Sequence, residues 1–139
     1  MIRTPLTRWF DLSTPIIGAP MAGVSGGELA RAVSRGGGLG MIGISGAHSA
    51  EFVTEQCAIP AADQEPFGVG LMIWVLETKP ELFDATVAAA PSLVSVSFGD
   101  PAPSARARTW PPARTTRPAP ARTSSPPAGP RRTTPAGAT

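Results

Sequence analysis

Cysteine and histidine occur once each in the 139 residues, and from residue 101 onward there is no acid and no Ile, Leu, Val, Phe or Met. A single thiol, Cys57, excludes a disulfide framework and a thiol pair for a metal, and its place on a predicted helix reads as packing rather than as a nucleophile. His48 lies in Gly-Ala-His-Ser, a loop leading into a helix, and reads as a polar loop residue rather than a catalytic base. No metal site is expected. No stretch reaches the roughly 18 to 20 apolar residues that span a bilayer, and the first ten residues, MIRTPLTRWF, hold no apolar run of signal-peptide length. The sequence therefore predicts a soluble, cytoplasmic protein with no membrane partner.

What is present divides at residue 100. Residues 1–100 carry ten acidic and five basic side chains, a net −5, whereas residues 101–139 carry seven Arg and no acid, a net +7. The tail consists of ten Pro, nine Ala, seven Arg, seven Thr, three Ser, two Gly and Trp110. Only the first part has the composition to bury a core, so function is sought there.

That part alternates strand and helix signals. PIIGAPM (15–21), GLGMIGI (38–44), FGVGLMIW (67–74) and LVSVSF (93–98) are short apolar runs that read as buried strands. Between them, Ser25 and Glu28 have capping-box spacing ahead of Leu29, Ala32 and Val33; Ser49 and Glu51 open a second helix with Phe52, Val53, Gln56 and Ile59 before Pro60. Thr78, Pro80 and Glu81 open a third, through Leu82, Phe83 and Val87 to Pro91. Strands apolar on both faces, joined by helices of about three turns, imply a parallel α/β sheet. An open doubly wound sheet and the first half of an eight-stranded barrel both satisfy this pattern.

Gly38, Gly40 and Gly43 match G-x-G-x-x-G, but they leave a helix and enter a strand, the reverse of what a dinucleotide site requires. They read instead as a helix stop followed by close helix-to-strand packing. No Gly-Lys-Ser or Gly-Lys-Thr occurs. In a (β/α) barrel the C-terminal ends of the strands form the mouth, which would gather Ala19, Pro20 and Met21, Gly43, Gly70 and Leu71, and Ser97 to Asp100. Small residues there let the backbone approach a flat ligand, although they also suit ordinary turns.

PIIGAPMAGVSGGELARAVSRGGGLGMIG together with FGVGLMIW resembles the N-terminal part of the nitronate monooxygenase (2-nitropropane dioxygenase-like) family. The resemblance rests on A-P-M-A-G-V-S, G-G-L-G and F-G-V-x-L in that order and spacing, and covers residues 15–100. It implies a partial (β/α)8 TIM barrel of about four βα units, with FMN as cofactor and oxidation of a small-molecule nitronate by O2 as the reaction. A sister branch of that fold reduces enoyl thioesters. The family places the backbone of Ala19, Pro20 and Met21 against the flavin, and Gly70 stands where many members have a flavin-contacting Asn. The family's A-G-G-H histidine and its phosphate-binding loops have no counterpart here, so no catalytic residue is assigned and the chain as written is expected to be inactive. Half a barrel leaves sheet edges open, and self-association is expected.

The resemblance ends near Pro101, and residues 101–139 read as a disordered Pro/Ala/Arg/Thr-rich tail. All its residue types can come from codons with C or G in the middle position; only 54 of residues 1–100 belong to that set with Cys added. A GC-rich gene concentrates those bases at third positions, so a one-base shift moves them to the middle. The tail therefore reads as an out-of-frame segment. A natural disordered tail and a basic arm for nucleic acid are the alternatives, the latter poorly supported because Trp110 is the tail's one aromatic ring.

Overall fold

The computed structural model describes residues 2–100. The readings of the tail, that it is disordered, out of frame or weakly basic toward nucleic acid, lie outside the described residues. The described part is a layered α/β unit in the order α1 (Pro5–Trp9), α2 (Gly27–Arg35), β1 (Gly40–Gly43), α3 (Ala50–Ala62), β2 (Phe67–Met72), α4 (Ile73–Leu76), α5 (Glu81–Ala88) and β3 (Leu93–Ser97). The strands lie in sequence order and pair in parallel, with Ile42 opposite Val69 and Val69 opposite Val94.

The expected first strand is present only as a bridge between Ile17 and Leu39, ahead of β1. The Leu39 N–H donates to the Ile16 carbonyl at 2.9 Å, and the Gly18 N–H donates to the Leu39 carbonyl at 2.8 Å. The next donor in that register, two residues after Gly18, is Pro20, which has no N–H. The ladder therefore ends where the chain turns over the sheet.

Side chains alternate across the strands, so the sheet buries two different surfaces. Ile42, Phe67, Val69 and Leu71 face the helical layer, packing with Ala30, Val53, Cys57, Val75 and Leu82 in one buried cluster. Leu39 and Met41 point the other way, into a second cluster with Leu12, flanked by Leu6, Phe10 and Leu93. Thus α1, an element the sequence reading did not include, covers the N-terminal ends of the strands. Its start is held by a reciprocal cap in which the Thr4 and Thr7 side chains each accept the other's backbone N–H.

Several local expectations shift for identifiable reasons. Ser25 does not cap α2; the N-cap is Gly26, and the Gly27 N–H is satisfied by Gln56 Oε1 of α3 at 2.8 Å. Glu28 pairs with Arg31 at 2.6 Å on the surface instead of closing a capping box. The buried face of α2 is Gly27, Ala30 and Ser34, whereas Leu29 is 45% exposed, because the helix lies too close to β1 for large side chains. Ser34 fastens that contact, donating to the Pro66 carbonyl at 2.6 Å and accepting the Gly40 N–H at 3.0 Å. Ser49 does cap α3, which then runs through Pro60 to Ala62. The third apolar run leaves the sheet at Met72, and Ile73–Leu76 turn helical. Thr78 does not cap α5; its hydroxyl donates back to the Val75 carbonyl at 3.0 Å.

Among the described residues no helix is long and apolar enough to cross a membrane.

Candidate functional site

At the C-terminal ends of the strands, Ala19, Pro20 and Met21 form a tight turn that folds back over the face of the sheet opposite the helical layer. The Met21 N–H donates to the Ala19 carbonyl at 2.9 Å, and the Met21 carbonyl accepts the N–H groups of Val24 at 3.0 Å and Ser25 at 2.8 Å. Buried Ser25 completes the turn: its hydroxyl donates to the Ala19 carbonyl at 2.7 Å and accepts the Met21 N–H at 3.2 Å. Sequence reasoning assigned this serine to a helix cap, since S-x-x-E spacing is the same whichever backbone groups the hydroxyl meets.

Two glycines make the approach possible. A β-carbon on Gly43 would lie 2.5 Å from the Met21 carbonyl carbon, and one on Gly70 would clash with the Pro20 ring, 2.6 Å from Cγ. The four residues singled out in the sequence, Ala19, Pro20, Met21 and Gly70, are therefore brought together, but not as equals. Ala19, Pro20 and Met21 are exposed, Met21 at 48%, while Gly70 is buried beneath Pro20. Pro20 occupies the space that a side chain at position 70 would need.

Ala19 and Ala22 are exposed, and their backbone N–H groups make no hydrogen bond among the described residues. Trp74 and Phe98, 54% and 74% exposed, follow the ends of β2 and β3. The strand face running up to this rim is small and polar at Gly70, Ser95 and Ser97. Such a rim suits a flat, partly apolar ligand with acceptor atoms along one edge.

The other chemistry-bearing residues have structural roles. His48 Nδ1 accepts the Ser45 N–H at 3.1 Å, and the ring stacks on Phe52 with centroids 4.1 Å apart. Its carbonyl accepts from Lys79 Nζ at 3.2 Å, tying the loop after β1 to the chain after α4. Asp63 joins Arg35 at 2.7 Å at the far ends of α2 and α3. No cluster of three or more metal-ligating side chains occurs among the described residues.

Cys57 is 1% exposed, and burial pushes its thiol up to about 11 from an ordinary 9.0. The folded chain should react with a thiol reagent at neutral pH at least tenfold more slowly than the denatured chain, by both lost access and lost thiolate. Between about pH 9 and 11 the unfolded thiol ionises while the folded one keeps its proton, so stability should fall as pH rises through that window. Equal labelling rates in native buffer and denaturant would contradict the packing of α3.

The model of the family described as nitronate monooxygenase matches residues 3–105. Among solved structures, FabK from Thermotoga maritima superposes with a TM-score of 0.67 at 28% identity, covering 77% of this chain and 34% of that one. Nitroalkane oxidase from Streptomyces ansochromogenes superposes with a TM-score of 0.52 at 27% identity, covering 69% of this chain and 36% of that one. No curated protein matches. The chain thus spans about a third of the length of the solved structures it resembles, and its three parallel strands and intervening helices correspond to part of a TIM barrel.

Proposed function

Because this chain belongs to the nitronate monooxygenase family, whose members bind FMN, we propose that residues 15–100 form the flavin-ring side of an FMN-dependent nitronate-oxidising barrel. The match over residues 3–105 carries the proposal. The turn at the rim supports it, because its exposed backbone and the apolar surface of Pro20 and Met21 suit a flat ring with polar edge atoms. In this reading the backbone of Ala19, Pro20 and Met21 would lie against the flavin ring. Gly43 and Gly70 act indirectly, by letting the turn sit close enough to the strands to be rigid. When bound, FMN supplies the acceptor through which a nitronate's electrons reach O2.

Binding the ring is only part of what the reaction needs. The phosphate of FMN carries most of its charge, and it is ordinarily held by backbone amides at a helix N-terminus reached through a Gly-rich loop. Neither such a loop beyond β3 nor a histidine placed to take a proton occurs in the sequence, since His48 is engaged with Ser45. Our proposal takes residues 101–139 as an out-of-frame reading of the gene region that encodes those parts. The 139-residue chain is then expected to bind FMN weakly through the ring and to release no nitrite from a propyl nitronate in air, above a flavin-only control. Its edges at Ile16–Gly18 and at β3 have no further strand beside them among the described residues, which favours self-association, so the purified chain should elute as mixed oligomers. Flavin-dependent nitrite release by this chain would overturn the division of labour proposed here.

A further inference from the structure

We propose that Ser25 is a positioning residue for the ligand-binding turn, holding the exposed Ala19–Met21 backbone in one conformation for a planar, electron-poor heterocycle such as the flavin ring. The proposal rests on the flavin reading above for the identity of the ligand, but its structural half stands on Ser25 alone. Ser25 is 3% exposed, and the four hydrogen bonds it makes all serve one small region. The hydroxyl bonds to both ends of the A-P-M turn, at 2.7 and 3.2 Å; the Ser25 N–H donates to the Met21 carbonyl at 2.8 Å, and the Ser25 carbonyl accepts the Gly43 N–H at 2.8 Å. The residue thus links the turn to the C-terminal end of β1.

The hydroxyl solves a problem created by Pro20. Lacking an N–H, Pro20 cannot continue the ladder to β1, so nothing in the sheet itself fixes the backbone beyond Gly18. The Ser25 hydroxyl supplies a donor to the Ala19 carbonyl and an acceptor for the Met21 N–H, adding to the 2.9 Å bond between those two groups and tying it to the body of the protein. With both groups tied to one buried hydroxyl, the turn keeps one conformation, and so does the exposed backbone from Ala19 to Ala22. Preorganised donors cost less to bind than donors that must first be ordered.

Ser25→Ala removes only the hydroxyl and leaves the two backbone bonds in place, while Ser25→Thr keeps it. Amide hydrogen exchange on the ligand-free 139-residue chain should show the Met21 N–H exchanging roughly tenfold faster in Ser25→Ala, because the turn loses its tie to the hydroxyl and only the local bond to the Ala19 carbonyl remains. The Val69 amide should be unchanged, and Ser25→Thr should restore protection. In parallel, titration with FMN up to about 1 mM, followed by quenching of flavin fluorescence, should show affinity lowered roughly tenfold in Ser25→Ala and recovered in Ser25→Thr. Unchanged Met21 exchange would overturn the positioning role outright. Faster exchange with equal FMN affinity would overturn its bearing on the ligand while leaving the flavin reading intact. Absence of FMN binding by every variant, the unsubstituted chain included, would overturn the flavin reading and with it the ligand half of this proposal.

Discussion

Gly40→Ala is expected to remove about 3 kcal/mol or more, over half of the chain's stability, the largest effect of any single-methyl addition in the described residues. A β-carbon at position 40 would lie 2.5 Å from the Ala30 carbonyl carbon and 2.6 Å from its Cα, closer still to the carbonyl oxygen, in the middle of α2. The obstacle is backbone, so no rotamer change relieves it. Relief requires α2 to lift from β1, which would break the Ser34 bonds to Pro66 and Gly40 and open the cluster around Ala30, Ile42 and Val53. Overpacking of a well-packed core typically costs about 1–3 kcal/mol, and displacement of a whole helix belongs at or above the top of that range. A core built from only about 100 residues has a total stability on the order of 5 kcal/mol. Gly46→Ala is the matched control, because its β-carbon would meet the Val75 side chain at 3.6 Å, an ordinary contact, with an expected change within about 0.5 kcal/mol. Urea melts followed by circular dichroism decide the matter. Indistinguishable midpoints for the two variants would contradict the close seating of α2 on the sheet.

The same glycine shows what the sequence could and could not reveal. Gly38, Gly40 and Gly43 were legible as packing glycines because a helix precedes them and a strand follows, an order that excludes a dinucleotide loop. Apolar runs without alternation made three parallel strands legible, since both faces of β1 and β2 are buried. The first strand was less so. Its composition is strand-like, but the missing N–H of Pro20 falls on the face that would pair with β1, and register depends on partners that periodicity does not reveal. Helix α1 escaped because five residues are too few to show a period; its Thr4 and Thr7 caps were the available signal.

At the candidate site, the sequence singled out Ala19, Pro20, Met21 and Gly70 as flavin contacts, yet the seating of Pro20 on Gly70 was not readable from either motif. Two apolar segments 50 residues apart carry no statement of which side chain covers which. Ser25 was misassigned for a physical reason: a buried hydroxyl bonds to whichever backbone groups the fold brings within reach, and here these were the Ala19 carbonyl and the Met21 N–H on either side of Pro20. Gln56, read only as part of a helical pattern, took over the cap of α2 from a neighbouring helix. Tertiary contact decided both cases.

The second large effect follows from the proposed out-of-frame reading of residues 101–139: gain of function on correcting the frame. A single compensating base after about Pro103 should replace the Pro/Ala/Arg/Thr composition with sequence in which Leu, Val, Asp and Glu recur at strand and helix periods. A G-G-H motif should appear downstream. The product should approach the roughly 250 residues of a complete barrel, closing the edges at Ile16–Gly18 and β3 and adding the loops that hold a phosphate. Solubility and flavin retention should therefore rise together, since both depend on the same missing strands. The gain expected in nitronate turnover is from none detectable to the ordinary range of about 1 per second or more.

The most direct measurement is the flavin content of that frame-corrected protein after purification without added cofactor. The account predicts a yellow, monodisperse protein with close to one FMN per chain, and with turnover of a nitronate or, in the sister case, an enoyl thioester. A corrected frame that stays poor in apolar residues, or a full-length product that remains colourless when FMN is added, would contradict it.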